Sequence, residues 1–138
     1  MGYFPFFIDI KEKKALIVGG GKVASRKAEK LMPFEPELTV VAPAVSRELA
    51  ENEKIICKER EFTEADVEGC LFVIAASGDR ALNQRVAQLC SEKNILVNVA
   101  DDREACGFLF PALVKEGKLT VGISTEGASP QTAASIRS

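Results

Sequence analysis

The run Ala15-Leu16-Ile17-Val18-Gly19-Gly20-Gly21-Lys22-Val23-Ala24-Ser25-Arg26-Lys27-Ala28 constrains this chain more than any other stretch. Four apolar residues lead into three glycines, and helix-forming residues follow at once: strand, tight turn, helix. Gly19-x-Gly21-x-x-Ala24 fits the dinucleotide-binding fingerprint, with alanine at the third small position. Gly19 allows a sharp turn out of the strand. Gly21 has no Cβ, so a pyrophosphate can approach the backbone, and Ala24 lets the helix pack closely on the strand. The helix start then offers N–H groups and a positive dipole end to the phosphates. A Gly-Lys-Ser/Thr phosphate loop does not fit, because Leu16 stands where its first glycine is needed and Val23 where its hydroxyl residue is needed. The alternative is a merely flexible turn. The motif's place, after the first clear strand and opening a helix, favours the fingerprint.

The rest of the chain repeats the alternation. Further strands are expected at Leu38–Ala42 (stopped by Pro43), Ile55–Lys58, Leu71–Ala76 and Ile95–Val99. Helices are expected at Lys22–Met32 (ended by Pro33), from Ser46 to about Asn52, as a short turn from Thr63 closed by Gly69, and from about Arg80 to Lys93. The last has an apolar face of Leu82, Val86, Leu89 and Cys90. Five strands alternating with helices predict an α/β, Rossmann-type, doubly wound parallel sheet of order 3-2-1-4-5. Its ligand crevice lies beyond the carboxyl ends of strands one and four, where Gly19–Gly21, Pro43, Ser77 and Asp101 should gather. The start, Tyr3–Ile8, reads as an irregular or edge segment, since Pro5 cannot donate to a central ladder.

After Asp102 the alternation stops. Phe108–Val114 and Leu119–Ile123 flank Lys115-Glu116-Gly117-Lys118 and read as a β-hairpin, and Ser129-Pro130 then opens another helix. The domain expectation is therefore a dinucleotide-binding unit over 1–103 and part of an assembly region over 104–138, ending within a helix as a fragment of a longer protein would. An isolated hairpin is marginal, so a homodimer built through this region is expected.

Composition narrows the function. The formal net charge of −2 gives no basic field for nucleic acid, and no apolar run approaches the ~20 residues that span a bilayer. The apolar start lacks the basic flank and cleavage site of a signal peptide. Cys57, Cys70, Cys90 and Cys106 form no CxxC pair and sit in or beside apolar segments, the pattern of reduced thiols in the cytoplasm rather than of disulfides or a metal site. Histidine is absent, so acid–base work falls to carboxylates, lysine or tyrosine. Asp101-Asp102, ending strand five, is a like-charge pair, an arrangement that favours proton uptake by one member. The plain alternative is two solvated turn residues.

Three stretches, Val18–Lys27, Val97-Asn98-Val99-Ala100-Asp101-Asp102 and Ile123-Ser124-Thr125-Glu126-Gly127-Ala128-Ser129-Pro130, resemble the precorrin-2 dehydrogenase module of siroheme synthase, in one order over nearly all 138 residues. The resemblance implies oxidation of precorrin-2, a tetrapyrrole, to sirohydrochlorin with NAD, and in some members iron insertion at the same site. It implies Asp101 as the catalytic residue. It places cofactor contacts on Lys22, Val23, Pro43 and Ala44, which join Gly19, Gly21 and Ala24 of the fingerprint and Ser77 of the crevice, and substrate contacts are expected on Arg103, Ser124, Thr125 and Ser129. It also implies dimerisation through the segment from 104 onward and a C-terminal helical domain that is not in this chain.

Two positions depart from pattern. Val41-Ala42-Pro43 stands where a ribose-binding acidic residue is usual, so the cofactor must be held by backbone groups. Ala134 stands where the family often has arginine, leaving Arg103 or Arg137 for substrate carboxylates. A non-catalytic NAD-sensing domain is the alternative function, and it needs no role for Asp101, Thr125 or Ser129.

Overall fold

In the computed structural model, residues 2–124 are described. Thr125, Ser129, Ala134 and Arg137, and the helix expected at Ser129-Pro130, lie outside them. The chain divides into two compact units. One is Ile8–Gly107, and the other joins the residues up to Phe7 with those from Phe108 onward. The division falls four residues later than 103/104. A helical turn at Arg103–Ala105 and a bond from Gly107 N–H to the Val97 carbonyl (2.7 Å) tie residues 103–107 to the larger unit.

In the larger unit, β1 (Lys14–Val18), β2 (Glu37–Ala42), β3 (Ile56–Glu59), β4 (Phe72–Ala75) and β5 (Leu96–Val99) form one parallel sheet in the order β3-β2-β1-β4-β5. This is the expected order: the chain steps outward from β1 through β2 to β3, then from β4 to β5 on the other side, each parallel connection being right-handed by rule. The same rule puts helix α1 (Lys22–Leu31) and helix α3 (Arg80–Glu92) on opposite faces. With both faces covered, the inner strands are apolar without alternation: Ala15–Val18 of β1 and all of β4 are buried. On the α3 side, Leu16, Val18, Val73, Ala75, Val97 and Val99 pack with Val86, Ala87 and Cys90. Burial pushes the Cys90 thiol up to about 11. α1 buries only the small residues Ala24 and Ala28, and the four-residue helix α2 (Arg47–Ala50) buries Leu49.

The differences from expectation are local. α1 ends at Leu31, one residue before the expected Met32, and Pro33 sits in the first turn of a 3-10 segment, Met32–Phe34, where its missing N–H costs nothing. α2 is shorter than Ser46–Asn52. The buried face of α3 is Asn83, Val86, Ala87 and Cys90, with Leu82 and Leu89 only partly buried at its flank.

In the smaller unit, residues 2–7 have no regular structure, and Phe4, Phe6 and Phe7 are exposed. The hairpin pairs β6 (Ala112–Glu116) with β7 (Leu119–Ile123). Its strands close to a two-residue turn, Gly117-Lys118, with Gly117 at φ +57°; Lys115 and Glu116 therefore belong to the strand rather than the loop.

Candidate functional site at the carboxyl edge of the sheet

Each of the three glycines meets different surroundings. Gly19 has φ +133°, and a Cβ there would lie 2.8 Å from Ser77 N and closer still to the Ala76 carbonyl. It lets β1 leave the sheet against the end of β4. A Cβ on Gly20 would lie 3.0 Å from Val45 Cα and overlap the Ala44 carbonyl, so Gly20 lets the loop after β2 close over the turn. The Ser46 N–H donates to the Gly20 carbonyl at 2.8 Å and fixes that contact. At Gly21 a Cβ would meet nothing within 4 Å. Gly19 and Gly20 are occupied by protein, and Gly21 faces open space.

Gly21 is also the N-cap of α1. No side chain caps this helix, and its first turn holds no acidic residue. Its leading N–H groups therefore have neither an intrahelical partner nor a side-chain one. α3 contrasts with it: Asp79 Oδ1 accepts from Leu82 N at 3.2 Å. An uncapped helix start beside open backbone is a receptor for an anion. Lys22 and Val23 are exposed there, Val23 at 47 %, and Ala24 is fully buried. Pro43 and Ala44 are exposed just beyond β2. The Ser46 Oγ is buried with no hydrogen-bond partner among the described residues. The open cradle at Gly21, the bare helix start and this idle hydroxyl fit a dinucleotide that is held through backbone rather than an acidic side chain.

The second half of the edge is polar. Asn83, fully buried in the first turn of α3, accepts at Oδ1 from Ser77 N (3.1 Å) and Ser77 Oγ (2.7 Å). Its Nδ2 donates to the Ser77 carbonyl (3.0 Å) and to Asp101 Oδ1 (3.3 Å). Ala100 N donates to the Ala75 carbonyl at 2.9 Å, keeping β4 and β5 side by side up to this point. Asp101 is exposed. Asp102 is engaged differently: Oδ1 accepts from Glu104 N (3.1 Å) and Oδ2 from Gln84 Nε2 (2.9 Å), so it caps the following turn. Arg103 is partly buried, and its Nε and Nη2 have no hydrogen-bond partner among the described residues.

The structure thus brings Gly19–Gly21, Ala44, Ser77 and Asp101 to one edge, with Pro43 and Arg103 beside them in the chain. Ser124 belongs to the other compact unit. Gly20 and Asn83 were missed by the sequence reading. A third consecutive glycine was the available sign of the first. No sign marked the second, because a single asparagine in an amphipathic helix looks like its solvent face. Among the described residues no three His, Cys, Asp or Glu side chains are grouped to hold a metal ion, and no helix is long and apolar enough to cross a membrane.

Residues 6–112 match the family model described as "Putative NAD(P)-binding". The chain is 42 % identical over 141 residues to a siroheme synthase of Thioalkalivibrio sulfidiphilus, covering all of this chain and 29 % of that protein. It is 38 % identical to a siroheme synthase of Neisseria meningitidis, covering 99 % of this chain and again 29 % of the relative. The chain therefore spans less than a third of the length of these relatives. Among solved structures it is similar to SirC, a precorrin-2 dehydrogenase, with a TM-score of 0.83 and 31 % identity over 98 % of this chain and 68 % of that one.

Proposed function

The chain belongs to the NAD(P)-binding family of SirC and the siroheme synthases, and from that premise we propose that it oxidises precorrin-2 to sirohydrochlorin with NAD, a step of siroheme synthesis. The observation that carries the proposal is a carboxylate, Asp101, on the same sheet edge as a glycine turn open at Gly21 and an uncapped helix start.

Removing two hydrogens from a reduced macrocycle means losing a hydride and a proton. When bound, NAD supplies a hydride acceptor. The N–H groups of Lys22, Val23 and Ala24 hold the pyrophosphate at the start of α1, with Gly21 giving it room. Pro43, Ala44 and the Ser46 hydroxyl beyond β2, with Ser77 after β4, would supply the remaining contacts to the cofactor. Asp101 Oδ2, the oxygen not engaged by Asn83, takes the proton from substrate carbon. Arg103, whose Nε and Nη2 have no hydrogen-bond partner among the described residues, is proposed to pair with a substrate carboxylate, a charge-assisted pairing well suited to a guanidinium. Ser124, Thr125 and Ser129 are proposed as further substrate contacts. Anaerobic turnover of precorrin-2 with NAD, followed as NADH formation, tests the reaction.

We also propose that the protein is a cytoplasmic homodimer joined through the region 104–138. A two-stranded hairpin is marginal alone, and β7 leaves Leu119 58 % exposed. The four thiols are all free, as a reducing compartment would keep them. Fractionation of the producing cell tests the compartment.

A further inference from the structure

We propose that Asn83 is a positioning residue for the dehydrogenation: it orients Asp101 by donating one amide proton to Oδ1, leaving Oδ2 to face substrate. This rests on the assignment of Asp101 as base.

The amide has no freedom to flip. Ser77 presents a backbone N–H to one end of it (3.1 Å) and a backbone carbonyl to the other (3.0 Å). The first must meet an acceptor and the second a donor, so Oδ1 faces the N–H and Nδ2 faces the carbonyl. The second Nδ2 proton then points at Asp101 Oδ1, 3.3 Å away. With two bonds accepted and two donated, the side chain is fully satisfied, which accounts for a buried amide in an otherwise apolar helix face.

A polarised chain feeds it. Asp79 N–H donates to Ser77 Oγ (3.2 Å), whose single proton goes to Asn83 Oδ1 at 2.7 Å in preference to the Asp79 carbonyl at 3.0 Å. Each donation strengthens the next, so the proton aimed at Asp101 is more acidic than that of an isolated amide. Asp102, one residue on, takes no part, being held by Gln84 and Glu104 N. The charged residues of the elements meeting at this edge are Asp79 and Arg80 at the start of α3, Asp102 and Arg103 after β5, and Lys22 at the start of α1.

An amide that only clamps the end of β4 would be indifferent to the charge on Asp101; an orienting one would not. The decisive experiment is a pH titration of the intact protein by NMR, from about pH 3 to about pH 8, spanning the carboxylate range. It follows the Asn83 side-chain amide and the Asp101 carboxyl carbon together. The expected result is one common midpoint, with the amide's response abolished by Asp101→Asn and unaffected by Gln84→Ala. An Asn83 amide that stays flat while Asp101 titrates would overturn the proposal. Asn83→Asp keeps the shape and the acceptor but loses the donor. It should lower kcat for precorrin-2 by about tenfold or more and shift the acidic limb of the kcat profile to higher pH, with the KM for NAD nearly unchanged. A folded Asn83→Asp with wild-type kcat at every pH would also overturn it, and the wild-type titration decides the matter if that variant does not fold. Coupled titration in a protein that does not oxidise precorrin-2 would support the pairing while overturning the proposed reaction.

Discussion

Gly19 and Gly21, two residues apart, should fail in opposite ways when given side chains. Gly19→Ala carries two penalties. At φ +133° a non-glycine residue is strained by roughly 1–3 kcal/mol. The new Cβ also lies 2.8 Å from Ser77 N and overlaps the Ala76 carbonyl, and because these are backbone atoms the ends of β1 and β4 must separate, at a further cost of about 1–3 kcal/mol. The sum, roughly 2–6 kcal/mol, is a large part of the 5–15 kcal/mol typical of a domain. Gly21→Val meets neither penalty. Its backbone, at φ −95° and ψ −156°, is extended, which suits a β-branched residue, and no atom lies within 4 Å of the Cβ. It gives up only a good N-cap residue, worth about 1 kcal/mol at most. Its methyl groups nevertheless fill the space where the pyrophosphate comes in, so NAD should bind at least tenfold more weakly, ~1.4 kcal/mol. Thermal unfolding and calorimetric titration on the same samples separate the two effects. Gly19→Ala should melt well below wild type. Gly21→Val should melt close to it, yet gain little stability from added NAD. A folded Gly21→Val that binds NAD as wild type does, or a Gly19→Ala of undiminished stability, would refute the assignment of ligand and protein to the two faces of this turn.

Acid stability should have an identifiable contributor. Arg60 pairs with Asp66 at 2.6 and 2.9 Å, and with the Thr63 N–H it holds the Asp66 carboxyl down to about 2. A depressed carboxylate adds stability that is present above its unfolded value and is lost as pH falls through its folded value. Denaturant titrations of wild type should therefore lose on the order of 1 kcal/mol between about pH 4 and pH 2, a figure reduced because Arg60 is exposed, and Asp66→Asn should remove that segment of the curve. For assembly, sedimentation at micromolar concentration should find dimers, and Leu119→Glu on the exposed face of β7 should shift them toward monomer; a wild-type monomer would count against the proposed contact.

The sheet was legible because its cause is local. Unbroken apolar runs, Pro43 and the glycine turn fix where strands stop, and the dinucleotide fingerprint with the crossover rule then points to their order. The edge where Gly19, Ser77 and Asp101 meet followed from that order alone. What escaped depends on contacts distant in sequence. Gly20 is required by the Ala44 carbonyl, some two dozen residues away, and Asn83 is buried only because Ser77 and Asp101 converge on its amide. The ends of α1 and the hairpin were misplaced for a simpler reason. Proline is tolerated in a first helical turn, and a glycine with positive φ permits a shorter turn than four polar residues imply.

Asp101 at this edge is proposed to take the proton as precorrin-2 is oxidised. The direct test compares rates of NADH formation from precorrin-2 by the wild-type protein, Asp101→Asn and Asp102→Asn, each with its NAD affinity measured separately. Asp101→Asn should bind NAD normally and turn over ~10²–10⁴-fold more slowly, while Asp102→Asn, which can still accept from Glu104 N, should lose far less. Near-normal rates in both variants would contradict the account, because the proton would then leave by a route that does not involve Asp101.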